Sequence, residues 1–227
     1  MWAVARNPSL KVIRALLSAG ANVYARDKDD ASVLMHAAAN NPNPEVVREI
    51  LKARANPHVR DKYGRNALMY AARSNSNTDV VSLLLSAGID PNARDNDGKT
   101  AIAWAAKENG NPATISALVR FGAVVDARDR SGADALMYAA GFNENPEMTM
   151  AVLHAGAVVD AKDKNGATAL IYGAKNAVRP RVIDVLLDAG ANPKIKDKQG
   201  KRALEYASVN TQIRGTQEHR RLYQASR

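Results

Sequence analysis

Apolar positions recur along this chain with a period of 34 residues. One column is a branched apolar residue found in six successive units, at Leu34, Leu68, Ile102, Leu136, Leu170 and Leu204. An alanine pair follows it in four units, and many units close on Leu-Leu-x-Ala-Gly, as at Leu84–Gly88 and Leu186–Gly190. A fixed period of roughly 20 to 50 residues is typical of repeat arrays, in which each unit buries its apolar face against its neighbours.

A polar column has the same period and predicts a turn in each unit. It consists of Asp27, Asp61, Asp95, Asp129, Asp163 and Asp197, and a glycine stands three residues later in all but the first unit, which has Asp30. In Asp-x-x-Gly, the carboxylate accepts hydrogen bonds from nearby backbone N–H groups and the glycine adopts a positive φ.

Two helices are predicted to follow each turn. The first is short, and its alanines allow close packing. The second has an apolar face, as in Val46, Val47, Ile50 and Leu51. Its start is predicted at an Asn N-cap followed by Pro, in Asn43-Pro44, Asn111-Pro112 and Asn145-Pro146. Its end is predicted just before a C′ glycine, at Gly88, Gly122, Gly156 and Gly190.

This combination resembles the ankyrin repeat family, whose pattern begins Asp-x-x-Gly-x-Thr-Pro-Leu-His-x-Ala-Ala and ends Gly-Ala-Asp-x-Asn. The matching pieces are Asp95-x-x-Gly98-x-Thr100, Gly20-Ala21-Asn22 and Gly190-Ala191-Asn192. The chain lacks the Thr-Pro pair, and its period exceeds the usual 33. Tetratricopeptide arrays share the 34-residue period but lack the recurrent turn. The resemblance implies an all-α solenoid of stacked helix-loop-helix units joined by β-hairpin-like turns.

We predict a single ankyrin-repeat array over residues 1–227. Its units are a partial repeat at 1–26, repeats at 27–60, 61–94, 95–128, 129–162 and 163–196, and a C-terminal capping repeat at 197–227. The cap includes a polar, helix-like stretch from Glu218 to Ala225. Because Met1 falls within a first helix of the repeat frame, we expect a fragment of a longer protein, from which a targeting segment could have been removed. A half-repeat acting as its own cap is the alternative. The compartment stays open, with the cytoplasm as default.

Composition argues against catalysis. The chain has no cysteine, so disulfides and thiolate chemistry are excluded. The histidines are scattered over four different repeat positions, at His36, His58, His154 and His219, and no phosphate-binding glycine motif is present. We therefore predict no enzyme, no cofactor and no metal site. No apolar run approaches the roughly 18 residues of a membrane span, so no membrane insertion is expected.

An aromatic column recurs beside the alanines: Trp2, Tyr70, Trp104, Tyr138, Tyr172 and Tyr206, with His36 in the remaining place. We interpret it as packing between repeats, with tyrosine hydroxyls reaching the surface. The alternative is a stacking platform for bases or for an apolar partner.

Two basic columns flank the turn aspartates, in a chain of formal net charge +9. One precedes them (Arg26, Arg60, Arg94, Arg128, Lys162 and Lys196), and the other follows them (Lys28, Lys62, Arg130, Lys164 and Lys198). They either neutralise the stacked carboxylates or attract an acidic partner, and the sequence leaves both readings open.

The function predicted is a non-catalytic scaffold that binds a protein of acidic or mixed charge through its concave face and turn tips. In the family, partners contact the turn tips and the exposed start of the first helix. The candidate residues at those places are Lys62, Tyr63, Arg65, Arg73, Asn96, Asp97, Lys99, Lys107, Arg130 and Phe142. One alternative is nucleic-acid or other polyanion binding through the basic stripe, which the interleaved aspartates disfavour. Another is a structural role, with self-association through an uncapped N-terminal face of an otherwise monomeric chain.

Overall fold

The computed structural model describes residues 5, 7 and 9–227, and over this part the chain is built from paired helices. Their bounds are α1 Leu10–Ser18, α2 Val33–Asn40, α3 Pro44–Lys52, α4 Ala67–Ser74, α5 Thr78–Ser86, α6 Ala101–Glu108, α7 Ala113–Arg120, α8 Ala135–Phe142, α9 Pro146–His154, α10 Ala169–Asn176, α11 Arg181–Asp188, α12 Ala203–Ala207 and α13 Gln217–Ala225. Within the described residues, β structure is limited to one isolated bridge, between Arg26 and Ser32.

The helices form two layers. The first helices (α2, α4, α6, α8, α10 and α12) pack side by side, and the second helices (α1, α3, α5, α7, α9 and α11) pack in the same order behind them. The core lies between the layers, where Leu34, Leu68, Ile102, Leu136 and Leu170 are buried; Leu204, in the last unit, is only partly buried. The predicted all-α solenoid is confirmed. The boundaries of the single units stay a prediction, because a repeat has no unique first residue.

The residue at the threonine position of the family pattern caps most of the first helices. Ser32, Asn66, Asp134 and Thr168 each accept a hydrogen bond from the backbone N–H three residues on. All four residue types are good N-caps, so the departures at Ser32, Asn66 and Asp134 keep the helix start.

The second helices begin and end much as predicted. Asn43 and Asn145 are N-caps with proline at the first helical position. Asn111 also accepts a bond from the backbone of Ala113, at 3.0 Å, but the helix begins at Ala113, one residue later than predicted. The expected C′ glycines all have positive φ, and Arg54 takes that conformation in the unit without a glycine.

A column of asparagines, overlooked in the sequence, ties the loops of neighbouring units together. Its members Asn41, Asn75, Asn109 and Asn143 follow the first helix in four successive units. The Asn109 amide is buried, donates to the carbonyls of Ala72 (2.7 Å) and Asn75 (3.0 Å), and accepts from the Asn111 N–H. Two of its three bonds cross to the preceding unit, so this column fixes how units stack. The sequence shows this column as an asparagine that occurs four times at intervals of 34 residues.

The predicted helix at 218–225 is observed as α13, which packs on α11. Leu222 and the preceding Ile213 are completely buried. Arg221 makes ion pairs with both Asp184 and Asp188 of α11, so one of the basic groups of this helix holds it in place.

Candidate partner-binding face

Each turn is organised by its aspartate, which contacts both the turn and the first helix. In the second unit, Asp61 Oδ1 accepts from the backbone N–H groups of Tyr63 (2.9 Å) and Arg65 (2.8 Å). Its other oxygen accepts from the Tyr70 hydroxyl at 2.9 Å. One carboxylate thus closes the turn and attaches it to the helix nine residues on.

The same bond recurs along the aromatic column. The donor–acceptor distances to the turn aspartate are 2.8 Å for His36, 2.9 Å for Tyr70, Trp104 and Tyr172, and 2.5 Å for Tyr138 and Tyr206. The column therefore packs and positions the turns, as interpreted. The tyrosine hydroxyls of this column donate to the turn carboxylates, and their reaching the surface stays a prediction. Trp2 lies outside the described residues.

These contacts change the titration of both partners. Burial alone would raise the pKa of Asp129, but bonds from Ser131, Tyr138 and the turn backbone outweigh it, so the net pKa is lowered. The same balance lowers the pKa of Asp27 and Asp197. The bond to Asp197, with burial, raises the pKa of Tyr206 to about 12.

We expect stability to fall at both ends of the pH scale. The lowered aspartate pKa values contribute stability that is complete above the ordinary value of 3.8 and is lost as pH falls through the native values. The raised pKa of Tyr206 contributes stability that is complete below pH 10.0 and is lost as pH rises through about 12. The free energy of unfolding in urea is measured for the native chain and for Tyr206→Phe. The difference between the two proteins should shrink as pH rises from 10.0 to about 12. A constant difference would contradict the assignment.

The turn tips form one continuous edge. In five successive pairs of units, the N–H just after the turn aspartate donates to the tip carbonyl of the preceding unit: Lys62 to Asp29, Asn96 to Tyr63, Arg130 to Asp97, Lys164 to Ser131 and Lys198 to Asn165, at 2.8–3.0 Å. Side chains from consecutive tips are therefore held at fixed spacing.

The basic column before the aspartates supports this edge. Arg60 donates to the carbonyl of Gly64 in its own turn (2.7 Å) and to that of Arg94 in the next unit (2.5 Å). Arg94 and Arg128 make the equivalent pairs of bonds, and Arg26 donates to the Arg60 carbonyl. The four arginines are thus used in stacking, beyond simple neutralisation of the aspartates.

Two predicted partner-binding residues, Arg65 and Asn96, use their side chains in bonds within the protein. The Arg65 guanidinium binds the fully buried Asp61 carboxylate at 2.7 Å, and its side chain is only 16% exposed. Asn96 donates to the Lys62 carbonyl of the preceding tip at 3.0 Å. Removing Arg65 would leave a buried carboxylate without its counter-ion, so it is unsuited to a test of binding alone.

Four of the other predicted tip residues are exposed, whereas the Lys99 side chain is only 13% exposed. Tyr63 is 46% exposed and lies over Arg65, while Lys62 pairs with Asp29. Asp97 is exposed and pairs with Lys99 at 2.8 Å, and Arg130 is exposed on the next tip.

Three predicted residues lie close together: Arg73, Lys107 and Phe142. They were predicted at the start of the first helix, but each lies at its end. Arg73 and Lys107 lie over the Trp104 ring, at 5.2 and 5.4 Å, and share the Glu108 carboxylate. Phe142 is 47% exposed and contacts the Tyr138 and Tyr172 rings edge-on or tilted. The ends of the first helices therefore form an aromatic and cationic surface, which we call the helix-end surface.

Lys175 completes this surface and was not among the predicted residues. It occupies the position of Arg73 and Lys107 two units further on, and lies over Tyr206 at 5.5 Å. Together with Phe142, Tyr172 and Tyr206, it lines a groove of about 370 Å³. The 34-residue spacing from Lys107 through Gly141 to Lys175 could have revealed it.

Over the described part of the chain, no group of three or more histidine and acidic side chains is placed to hold a metal ion. Nor does any helix there have the length and apolar character needed to cross a bilayer.

A family model described as ankyrin repeats (3 copies) matches residues 1–95, 77–163 and 136–217. These matches span nearly the whole chain, and the chain belongs to the ankyrin repeat family. Ankyrin repeats are generally non-catalytic modules of protein–protein interaction. No individual curated sequence matches the chain significantly.

Proposed function

We propose that this chain is a scaffold that binds a protein partner of acidic or mixed charge through the helix-end surface and the neighbouring turn tips. The observation that carries the proposal is Phe142, a half-exposed aromatic ring that lies between cationic side chains of adjacent units. Exposed aromatic residues beside basic groups are typical hot spots of protein interfaces.

The stacked geometry supports this function energetically. Buried asparagine bonds and the backbone bonds between tips hold consecutive units in register before any partner arrives. A preorganised surface loses little conformational entropy on binding, so more of the contact energy appears as affinity. The net charge of +9 should speed association with acidic partners and make it sensitive to salt.

We expect Phe142→Ala to remove partner capture, because it deletes the exposed ring from the centre of the surface. The chain offers a matched control in Phe121, its only other phenylalanine, which is 36% exposed at the end of a second helix. Immobilised native chain, Phe142→Ala and Phe121→Ala are compared for retention of proteins from a nuclease-treated cell extract.

The expected pattern is a set of proteins retained by the native chain and by Phe121→Ala, but reduced at least tenfold on Phe142→Ala. Circular dichroism melting of all three proteins checks that the fold persists. Equal retention by Phe142→Ala and the native chain would place the binding surface elsewhere.

Polyanion binding is the second candidate, and exposed tip cations favour it. Arg130, Lys164 and Lys198 make no ion pair within the described residues. This function predicts that the chain binds duplex DNA with an affinity that falls steeply with salt. Replacing all three of these residues by glutamine should abolish that binding. The four arginines that donate to backbone carbonyls are less available for such binding, which favours a protein partner.

Self-association is favoured by one observation on α1. Val12 and Leu16 are 38% and 40% exposed, whereas Val46 and Ile50, at the same positions one unit later, are buried. Sedimentation at several protein concentrations separates a self-associating chain from a monomeric binder.

A further inference from the structure

The helix-end surface has a cationic column with one interruption. Arg73, Lys107 and Lys175 occupy the same place in the last turns of α4, α6 and α10, and α8 has Gly141 there instead. A side chain at Gly141 would meet the Tyr172 ring at 3.3 Å. The unit that lacks the cation presents Phe142 as the next residue, so an apolar position lies between two cationic ones.

The flanking charges are available to a ligand. Arg73 and Lys107 share one carboxylate, that of Glu108, which leaves an excess positive charge on this side. Lys175 is exposed and makes no ion pair with any described residue. The groove also contains the Asp163 and Asp197 carboxylates, whose charge is balanced by Lys175 and Lys201, both 5.5 Å from the Tyr206 ring.

The spacing of the helices restricts the shape of a matching ligand. Neighbouring helices pack about 8–10 Å apart, so the Lys107, Phe142 and Lys175 positions follow one another at about that interval. A polyproline II peptide has three residues per turn and rises about 3.1 Å per residue, so residues i, i+3 and i+6 share one side at intervals of about 9 Å. A β-strand places residues three apart on opposite sides.

We propose that the helix-end surface binds an acidic peptide segment in the polyproline II conformation, running along the stack. An apolar side chain of the peptide packs on Phe142, and carboxylates three residues before and after it bind Lys107 and Lys175. This inference rests on the proposed function and specifies the partner's chemistry.

The test uses the full chain and a fluorescein-labelled peptide, Glu-Pro-Pro-Leu-Pro-Pro-Glu, in fluorescence polarisation. Two comparison peptides change one property each: one replaces the prolines by threonine, and the other keeps the composition but moves each glutamate next to the leucine. We expect both to bind at least fivefold more weakly, because the first loses preorganisation and the second loses the spacing.

Variants of the chain locate the contacts. Phe142→Ala should weaken binding of the first peptide at least tenfold, and Lys107→Gln and Lys175→Gln about threefold each, as befits exposed ion pairs. Phe121→Ala and Lys11→Gln, which lie away from this surface, should leave affinity unchanged.

Equal affinity for all three peptides, or no loss in Phe142→Ala, overturns the inference. Its failure is distinct from failure of the proposed function: if proteins are still captured in a Phe142-dependent manner while the peptide does not bind, the scaffold function stands and the peptide chemistry is wrong. If the peptide binds but the lysines have no effect, the acidic recognition is wrong.

Discussion

Gly132→Ala should destabilise the array far more than Gly156→Ala, although both glycines have a similar positive φ, 85° and 95°. That conformation costs an alanine roughly 1–2 kcal/mol at either site. At Gly156 a Cβ would meet nothing within 4 Å, whereas at Gly132 it would lie 2.8 Å from the Lys164 backbone nitrogen. That nitrogen donates the bond joining two turn tips, so the tips would have to separate.

We expect a loss of about 1–2 kcal/mol for Gly156→Ala and about 3 kcal/mol or more for Gly132→Ala, since the second adds a backbone clash and a lost hydrogen bond. Urea unfolding followed by circular dichroism gives both values. For a chain of this size, each kcal/mol corresponds to about 2–4 °C in the melting temperature. Similar losses at the two sites would show that the tip contact contributes little to stacking.

Asn109→Ala is expected to have the second large effect, a loss of about 3 kcal/mol. The substitution leaves the carbonyls of Ala72 and Asn75 and the N–H of Asn111 without the amide that now binds them. A buried polar group left unsatisfied costs about 1–3 kcal/mol, and partial entry of water should reduce the sum over three groups.

Asn92 is the matched control, because it also makes two bonds to the next unit but in an exposed loop. Its amide donates to the Gly122 carbonyl at 2.9 Å and accepts from the Val124 N–H at 2.8 Å. Water can replace both bonds, so we expect Asn92→Ala to lose about 1 kcal/mol or less. Equal losses for Asn92→Ala and Asn109→Ala would show that burial is not what gives the asparagine column its importance.

The asparagine column also predicts a gain. Ala177 occupies its place in the following unit, with its side chain buried. Asn143 donates to the carbonyls of Ala106 and Asn109. In Ala177→Asn, the new amide would face the equivalent carbonyls one unit further along the chain. We expect a gain in the free energy of unfolding of about 1 kcal/mol, consistent with the net value of a buried hydrogen bond. A loss would show that the site is too tight.

The sequence by itself determined the architecture, because repeat stacking is a local problem solved again in every unit. The turn aspartates, their glycines and the Leu34 column share one spacing. With that spacing, each unit can bury its apolar face only against the next unit. The helix caps could be predicted for the same reason, since a cap depends on residues only two or three positions away.

The tertiary structure decided which polar residues are free. Arg65 and Phe142 both appeared to be candidates for binding, but the Arg65 side chain is held by Asp61 and the Phe142 ring is open to solvent. The difference arises from contacts between residues 9 or 34 positions apart, such as the Tyr70 hydroxyl on Asp61 or Arg60 on the Arg94 carbonyl. A repeating sequence shows that such positions are equivalent, but only the packed structure shows which atoms meet.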